Sequence, residues 1–311
     1  MDDLLYYMDG IVAGIVVPSA LFSHCEDKLM IDGPLGIACA SSSDPVGLHK
    51  ALVDSGALVT GQADEVSAVV NLLKDPRTSR TASYLLCFAH QCRDVIADFA
   101  NLHEARVMIV GCGGIGSALC MLLAGAGVRK FSLIDGDVVE ESNLNRQLYW
   151  ALEDVGKYKV DVLRRVLESR FVDVSVKCLK GFPSIDELCL LAAKDVDAAA
   201  ITADIPSTLA REGWRLTKMC GIPVVSGGYH HHLCSSFHIV PGDWEEMEEI
   251  VGSLEEEAWQ SLPSAIMPSY GPMNYSLAAI LSGNLLASLA PNSLGERATS
   301  VSRWDSRGAG F

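Results

Sequence analysis

An apolar run that stops abruptly in glycines, RVMIVGCGGIG (residues 106–116), limits the fold of this chain more than any other stretch. Residues 107–110 read as a buried parallel strand. Gly111, Gly113 and Gly116 match G-x-G-x-x-G, with Gly114 between them, and Ile115 opens an apolar run reaching Ala126. The order is strand, tight turn, helix. Glycine is needed there because a side chain would hold the backbone away from a phosphate, and the helix start then offers its unpaired N–H groups. Residues 130–134 make a second strand, and Asp135 ends it at the spacing of the acid that holds a ribose hydroxyl. The stretch predicts a nucleotide site in an α/β, Rossmann-like domain with a mostly parallel sheet.

That fingerprint fits dinucleotide enzymes and ATP users alike. What separates them is DGDVVEESNLNRQ (135–147) followed by VGKYK (155–159). Hydride transfer needs no cations over the ribose acid, whereas a triphosphate needs positive and amide groups converging on it. Arg146 and Lys159, with Asn143 and Gln147 beside them, suit the second task, and Asp137 joins the nucleotide-binding set. In these residues the chain resembles the ThiF/MoeB/E1 family of carboxylate-adenylating enzymes, which implies ATP as the nucleotide.

At 311 residues the chain can form one large domain, or a large and a small one. No uninterrupted apolar stretch approaches the roughly 20 residues of a membrane helix, and the acidic start MDDLLYYMDG is unlike a signal peptide, so a cytoplasmic location is expected. A formal charge of -15 argues against nucleic acid or an anionic membrane as the main partner and leaves a neutral or basic peptide easier to accept. Ten cysteines without a C-x-x-C pair read as reduced, mostly core thiols.

The first third has a different texture. Residues 10–17 suggest strand or hairpin, 33–44 a loop, 45–55 and 64–74 helices (Val66, Val69, Val70 and Leu73 on one face), and 57–60 a strand. This compact α+β unit, residues 1–75, is either a recognition module or an embellishment. After Pro76 comes RTSR (77–80), then a helix over 84–99 leading to the nucleotide strand. The resemblance implies that Arg80, the second arginine of an R-x-x-R element, reaches the triphosphate of a partner subunit, hence a homodimer. The alternative is a solvated arginine opposing the helix dipole.

Beyond the nucleotide core the alternation continues: helix 157–171, strand 174–179, a Ser184/Glu187 capping box, and strand 196–201. Asp204 lies just past that strand, where ligands gather in open parallel sheets, unless it caps a helix starting near Pro206. The resemblance, through TAD (202–204), implies that Asp204 holds Mg²⁺ and positions the attacking carboxylate. One protein carboxylate plus phosphate oxygens is normal for this hard cation.

Residues 222–226 read as a strand broken by Gly227-Gly228, followed by His230, His231, His232 and later His238. Many relatives carry paired C-x-x-C motifs for zinc. This chain has neither, so no structural zinc is expected. Three consecutive histidines on a strand cannot converge on one metal, which leaves His230 or His232 as a proton shuttle or as packing. Residues 243–259, with seven glutamates, match the family's crossover loop or a solvated helix face, and 268–290 form an apolar helix for core and subunit interface.

The N-terminal appendage, RTSR, and GCGGIG followed by SNLNRQ are similar to the family's peptide-modifying branch, which matures microcin- and pantocin-type antibiotics. That likeness implies a winged-helix-like unit (1–75) binding the leader of a ribosomally made precursor peptide, and an adenylation domain (76–311) using ATP and Mg²⁺. The missing zinc cysteines lean toward the pantocin type, in which a side-chain carboxylate is activated and the peptide closes on itself. Three alternatives remain: C-terminal adenylation of a microcin-type peptide, E1-like activation of a ubiquitin-like or sulfur-carrier protein, and a nucleotide-binding oxidoreductase or regulatory module.

Overall fold

The computed structural model describes residues 1–41, 43–206, 208–252 and 268–308, so the crossover-loop reading beyond residue 252 lies outside the described residues. The chain divides into two compact units, Met1–Leu102 with Ala290–Glu296, and His103–Leu289 with Arg297–Phe311.

The first unit contains β1 (Leu5–Met8), β2 (Ile11–Val16), β3 (Leu21–Cys25), β4 (Lys28–Gly33), β5 (Gly36–Ser41), α1 (Pro45–Asp54), β6 (Leu58–Thr60), α2 (Ala63–Lys74) and α3 (Ser79–Leu86), and α4 (Cys92–Glu104) begins in it. Two three-stranded sheets result, β1-β2-β6 and β3-β4-β5. Asp44 starts α1 by accepting a hydrogen bond from the Val46 N–H at 3.1 Å, with Pro45 fixing the first turn. Val66, Val69 and Leu73 are buried, as their spacing predicts, in a core with Ile15, Val59, Leu85, Leu86 and Val95.

Two local expectations are corrected here. Residues 33–44 are not a loop, because β5 pairs with β4 from Gly33↔Gly36 to Lys28↔Ser41. Its small residues conceal the strand, yet Ala40 is buried in one cluster with Ile31. The single helix over 84–99 is two helices. The chain leaves the helical path after Leu86 so that the Thr60 N–H can donate to the His90 carbonyl, and Asp94 then accepts from the Gln91 N–H at the start of α4. Because α3 and the start of α4 pack on Val59, Val66 and Val69, the compact unit extends to Leu102, past residue 75.

The second unit is a seven-stranded sheet in the order β13-β12-β11-β10-β7-β8-β9. Its elements are β7 (Arg106–Val110), α5 (Gly114–Ala126), β8 (Lys130–Ile134), α6 (Lys159–Arg170), β9 (Ser175–Leu179), α7 (Ile185–Asp195), β10 (Ala198–Ile201), α8 (Trp214–Cys220), β11 (Val224–His230), β12 (Leu233–Ile239), α9 (Glu245–Gly252), α10 (Gly271–Leu289) and β13 (Ser300–Asp305). The strands β9, β8, β7, β10 and β11 run parallel, and β12 and β13 antiparallel. The expected mostly parallel α/β sheet is therefore present. Strand order reverses at β7, between β8 and β10, which is where open α/β sheets form their ligand crevice.

Three expectations change in this unit. The β11 strand continues through Gly227-Gly228, because a Cβ on Gly227 would stand 2.7 Å from the Ser235 carbonyl oxygen, and glycine allows this close pairing. His231 and His232 form the turn of the β11–β12 hairpin, His231 with φ of 53°. Among the described residues no helix begins near Pro206, since α8 starts at Trp214. The edge strand β13 has no clear signature in RATSVSRWD, which lacks polar–apolar alternation.

His238 on β12 is 2% exposed, and its Nε2 pairs with the Ser288 hydroxyl of α10 at 2.8 Å. Burial, then the Arg297 charge, pushes its pKa from 6.5 down to about 4. The unfolded chain therefore binds a proton below about pH 6.5 that the folded chain refuses until about pH 4. Stability is flat with respect to this group above that window and falls through it by about 3 kcal/mol as pH drops, at roughly 1.36 kcal/mol per pKa unit. His238→Gln is expected to remove this acid slope in denaturant titrations, and an unchanged slope contradicts the assignment.

Candidate active site

The turn between β7 and α5 is closed by contacts that only glycine tolerates. Gly111 has φ of 91°, and a Cβ on it would stand 2.6 Å from the Ala203 nitrogen at the end of β10. A Cβ on Gly116 would overlap the Gly111 carbonyl oxygen and stand 2.6 Å from Thr202 Oγ1. The Thr202 hydroxyl donates to that same carbonyl at 2.9 Å, tying the end of β10 to the turn. Gly113 faces open space, with Gln147 Nε2 at 3.7 Å from its Cβ position. The first N–H groups of α5 have no acceptor among the described residues, and with Gly113 open beside them they form an anion cradle.

Asp135 stands at the end of β8, 8% exposed. One of its oxygens accepts from the Cys112 N–H at 2.7 Å and the other from the Asp137 N–H at 2.8 Å. Burial raises its pKa, while those two N–H groups and the charge of Lys159 oppose the rise. Each carboxylate oxygen keeps a lone pair for a ligand hydroxyl. Lys159, at the start of α6, is buried and pairs with Asp137 at 2.8 Å. Cys112, in the turn itself, has its thiol pKa pushed well up by burial, so it stays protonated and is no nucleophile.

The loop after β8 forms a second wall. Asn143 is buried, and its Oδ1 accepts from the Glu140 N–H at 3.1 Å, which shapes the turn. Gln147 is 3% exposed, its Oε1 accepting from the Trp150 indole while its Nε2 faces Gly113. Arg146 donates through Nη1 to the Ser142 carbonyl at 2.9 Å and to Asn145 Oδ1 at 2.8 Å, so its guanidinium is held by its own loop. Asp204 is exposed two residues beyond Thr202 and has no hydrogen bond or ion pair among the described residues. Among the described residues the next helix after Asp204 is α8, which starts at Trp214.

A third wall comes from the start of α10. Gly271 lies 3.9 Å, measured from its Cβ position, from the Arg146 Cα. Asn274 is 3% exposed, and its Nδ2 stands 2.5 Å from the Cβ position of Gly114. Asn274 was not singled out from the sequence, and Thr202 entered only as part of TAD. The available signal was a single asparagine inside the apolar run GPMNYSLAAIL.

Gly111, Gly113, Gly114, Gly116, Asp135, Asp137, Lys159 and Gln147 come together around one turn. Arg80 belongs to the other compact unit, where it is exposed as the second residue of α3. His230 closes β11, its ring centroid 4.0 Å from that of His231, and His232 Nε2 lies 3.8 Å from Asp305. Among the described residues no group of three or more His, Cys, Asp or Glu could hold a metal on its own. No described helix is long and apolar enough to cross a membrane.

A glycine cradle at the switch point of a parallel sheet, with a buried ribose-type carboxylate and a buried lysine, defines a nucleotide-binding α/β protein. The chain belongs to the ThiF family, whose model matches residues 91–296. Among solved structures, E. coli MccB crystallised with AMPCPP and MccA superposes with a TM-score of 0.69 at 18% identity, over 94% of this chain and 96% of that one. PaaA superposes with a TM-score of 0.57 at 19% identity, over 84% and 91%. These likenesses show a shared fold. In sequence, the adenylyltransferase and sulfurtransferase uba4 of Neosartorya fischeri is 55% identical over 61 residues, and that of Sclerotinia sclerotiorum 35% over 108. The matched segment spans 20% of this chain and 13% of uba4 in the first case, 33% and 22% in the second.

Two glycines of α5 make a test of the turn. Gly116→Ala is expected to destabilise the protein by about 3 kcal/mol or more through overpacking. Gly125→Ala, in the same helix with nothing within 4 Å of its Cβ position, is expected to stabilise by roughly 0.5–1 kcal/mol. Denaturant titration of both checks this, and equal effects contradict the packing described.

Proposed function

We propose that the protein activates a carboxylate of a ribosomally made precursor peptide by adenylation with ATP, and that the activated peptide then closes on itself as in pantocin-type maturation. The observation that carries the reading is the pairing of a bare helix N-terminus at Gly113–Gly114 with Lys159 and Gln147 on the same turn, a set suited to several phosphates. The residues fit the nucleotide. The glycine cradle accepts phosphate oxygens, the free lone pairs of Asp135 accept ribose hydroxyls, and Arg146 and Lys159 oppose the charge of the leaving pyrophosphate. Asp204 has a carboxylate unengaged among the described residues and suits Mg²⁺, which when bound supplies further neutralisation of the phosphates.

In this scheme the cradle holds the phosphates still, the peptide carboxylate oxygen attacks the α-phosphorus, and pyrophosphate leaves with the electron pair of the broken P–O bond. The cations act most where charge grows on the departing oxygens. A nucleophile of the same peptide then takes the acyl group, and AMP is released. The enzyme needs no nucleophile of its own, consistent with buried thiols such as Cys112 and Cys120, whose pKa values are raised by burial.

The N-terminal unit is assigned to peptide recognition, with residues 1–75 carrying the leader-binding role, a winged-helix-like behaviour supported by the fold likeness to MccB, whose structures include MccA. Arg80 is assigned to the triphosphate of a second copy in a homodimer. An exposed arginine in the first turn of α3, without a hydrogen bond or ion pair among the described residues, suits an incoming anion. Activation of a sulfur-carrier protein is the second reading, favoured by the 55% local identity to uba4.

ATP–pyrophosphate exchange is the test. Exchange stimulated by candidate ribosomal precursor peptides, and not by a sulfur-carrier protein, is expected. The reverse pattern supports the second reading, and no exchange with either contradicts adenylation. Asp204→Ala is expected to reduce exchange by at least about a hundredfold (on the order of 3 kcal/mol) while leaving the melting temperature unchanged. Arg80→Ala is expected to be inactive alone and to regain part of its activity when mixed with Asp204→Ala. Mixtures as dead as their components contradict action across subunits.

A further inference from the structure

The Asn274 side chain is an anomaly in its surroundings. It sits on the α10 face that buries Met273, Leu277, Ala278 and Leu281, and it is 3% exposed. Its Nδ2 is fully buried and has no hydrogen-bond partner among the described residues. A buried amide left unpaired costs about 1–3 kcal/mol, and almost all buried polar groups in folded chains avoid that cost. A leucine of similar size would fill the position without it.

The amide is not aimed at random. Its Nδ2 stands 2.5 Å and its Cγ 2.8 Å from where a Cβ on Gly114 would be, so any side chain at Gly114 is excluded by Asn274 itself. Gly114 is the first residue of α5, and its N–H is among those that the helix leaves unpaired. Two sets of donors, the N-terminal amides of α5 and the carboxamide of Asn274, therefore meet at one place with no acceptor supplied by the described residues. The start of α10 also lies against the nucleotide loop, through Gly271 beside Arg146.

We propose that Asn274 is a phosphate-binding residue, donating from its carboxamide to an anionic oxygen of the triphosphate held at the start of α5. This assignment rests on the ATP reading above and adds a ligand-contacting residue from α10. The donor is satisfied only when the nucleotide is bound, so the cost of burying it is borne by the free protein and relieved in the complex. Donation to a charged oxygen makes the contact selective for the phosphates, and the adenine and ribose do not depend on it.

The test uses the full chain and calorimetric titration of ATP and of adenosine into wild type, Asn274→Leu and Asn274→Ala, with melting temperatures measured without nucleotide. The expected result is a tenfold to hundredfold loss of ATP affinity in both variants, in line with a hydrogen bond to a charged group. Adenosine affinity is expected to stay within about twofold, a small fraction of that hydrogen-bond energy. Asn274→Leu is expected to melt at or above the wild-type temperature, a sign that the asparagine serves a ligand and not the fold. Unchanged ATP affinity, or equal losses for ATP and adenosine, overturns the assignment. Should Asn274→Leu unfold, the ATP-to-adenosine ratio in Asn274→Ala decides it. Wild type that fails to bind ATP at all removes the ATP reading together with this residue's role, and so is distinct from a failure of Asn274 alone.

Discussion

Gly116 sits so close against the Gly111 carbonyl that neither position admits a methyl group, and Thr202 clamps the same carbonyl from the end of the neighbouring strand. This three-way contact joins the end of β7, the start of α5 and the end of β10. Because strand order reverses at β7, the crevice of the sheet and the bare end of α5 coincide at this contact. Every further feature of the site is placed by reference to it: Asp135 through the Cys112 N–H, Asp204 through Thr202, and Asn274 through Gly114.

The charges around this turn show how an acidic protein can receive a polyanion. The formal charge is -15, yet two carboxylates beside the cradle are engaged, Asp135 by two backbone N–H groups and Asp137 by Lys159. What is left facing the cradle is donor-rich: helix amides, the Gln147 carboxamide and the Asn274 carboxamide. Preorganised donors in a partly buried place act more strongly on phosphate than solvated charges at the surface. On the proposed reading, the net charge of -15 favours a peptide with neutral or basic flanks.

Much of this was legible in the sequence because the glycine turn and the parallel strands leave local signatures. The strand over 130–134 matches β8, the Ser184/Glu187 capping box starts α7, and Val66, Val69 and Leu73 mark the buried face of α2. What escaped was set by pairing with distant residues. The β5 strand depends on β4, the break before α4 depends on Thr60 meeting His90, and β11 crosses two glycines because β12 runs against it. Asn274 escaped for the same reason. Its spacing belongs to a core helix, and only the folded chain brings it to Gly114, 160 residues earlier in the sequence.

The account stands on the identity of the molecule that occupies the glycine cradle. Calorimetric titration of the full chain with ATP in the presence of magnesium, repeated with NAD⁺ as competitor, measures this directly. ATP is expected to bind at one site per chain with NAD⁺ failing to displace it. Displacement of ATP by NAD⁺, or binding of NAD⁺ where ATP does not bind, contradicts the central claim.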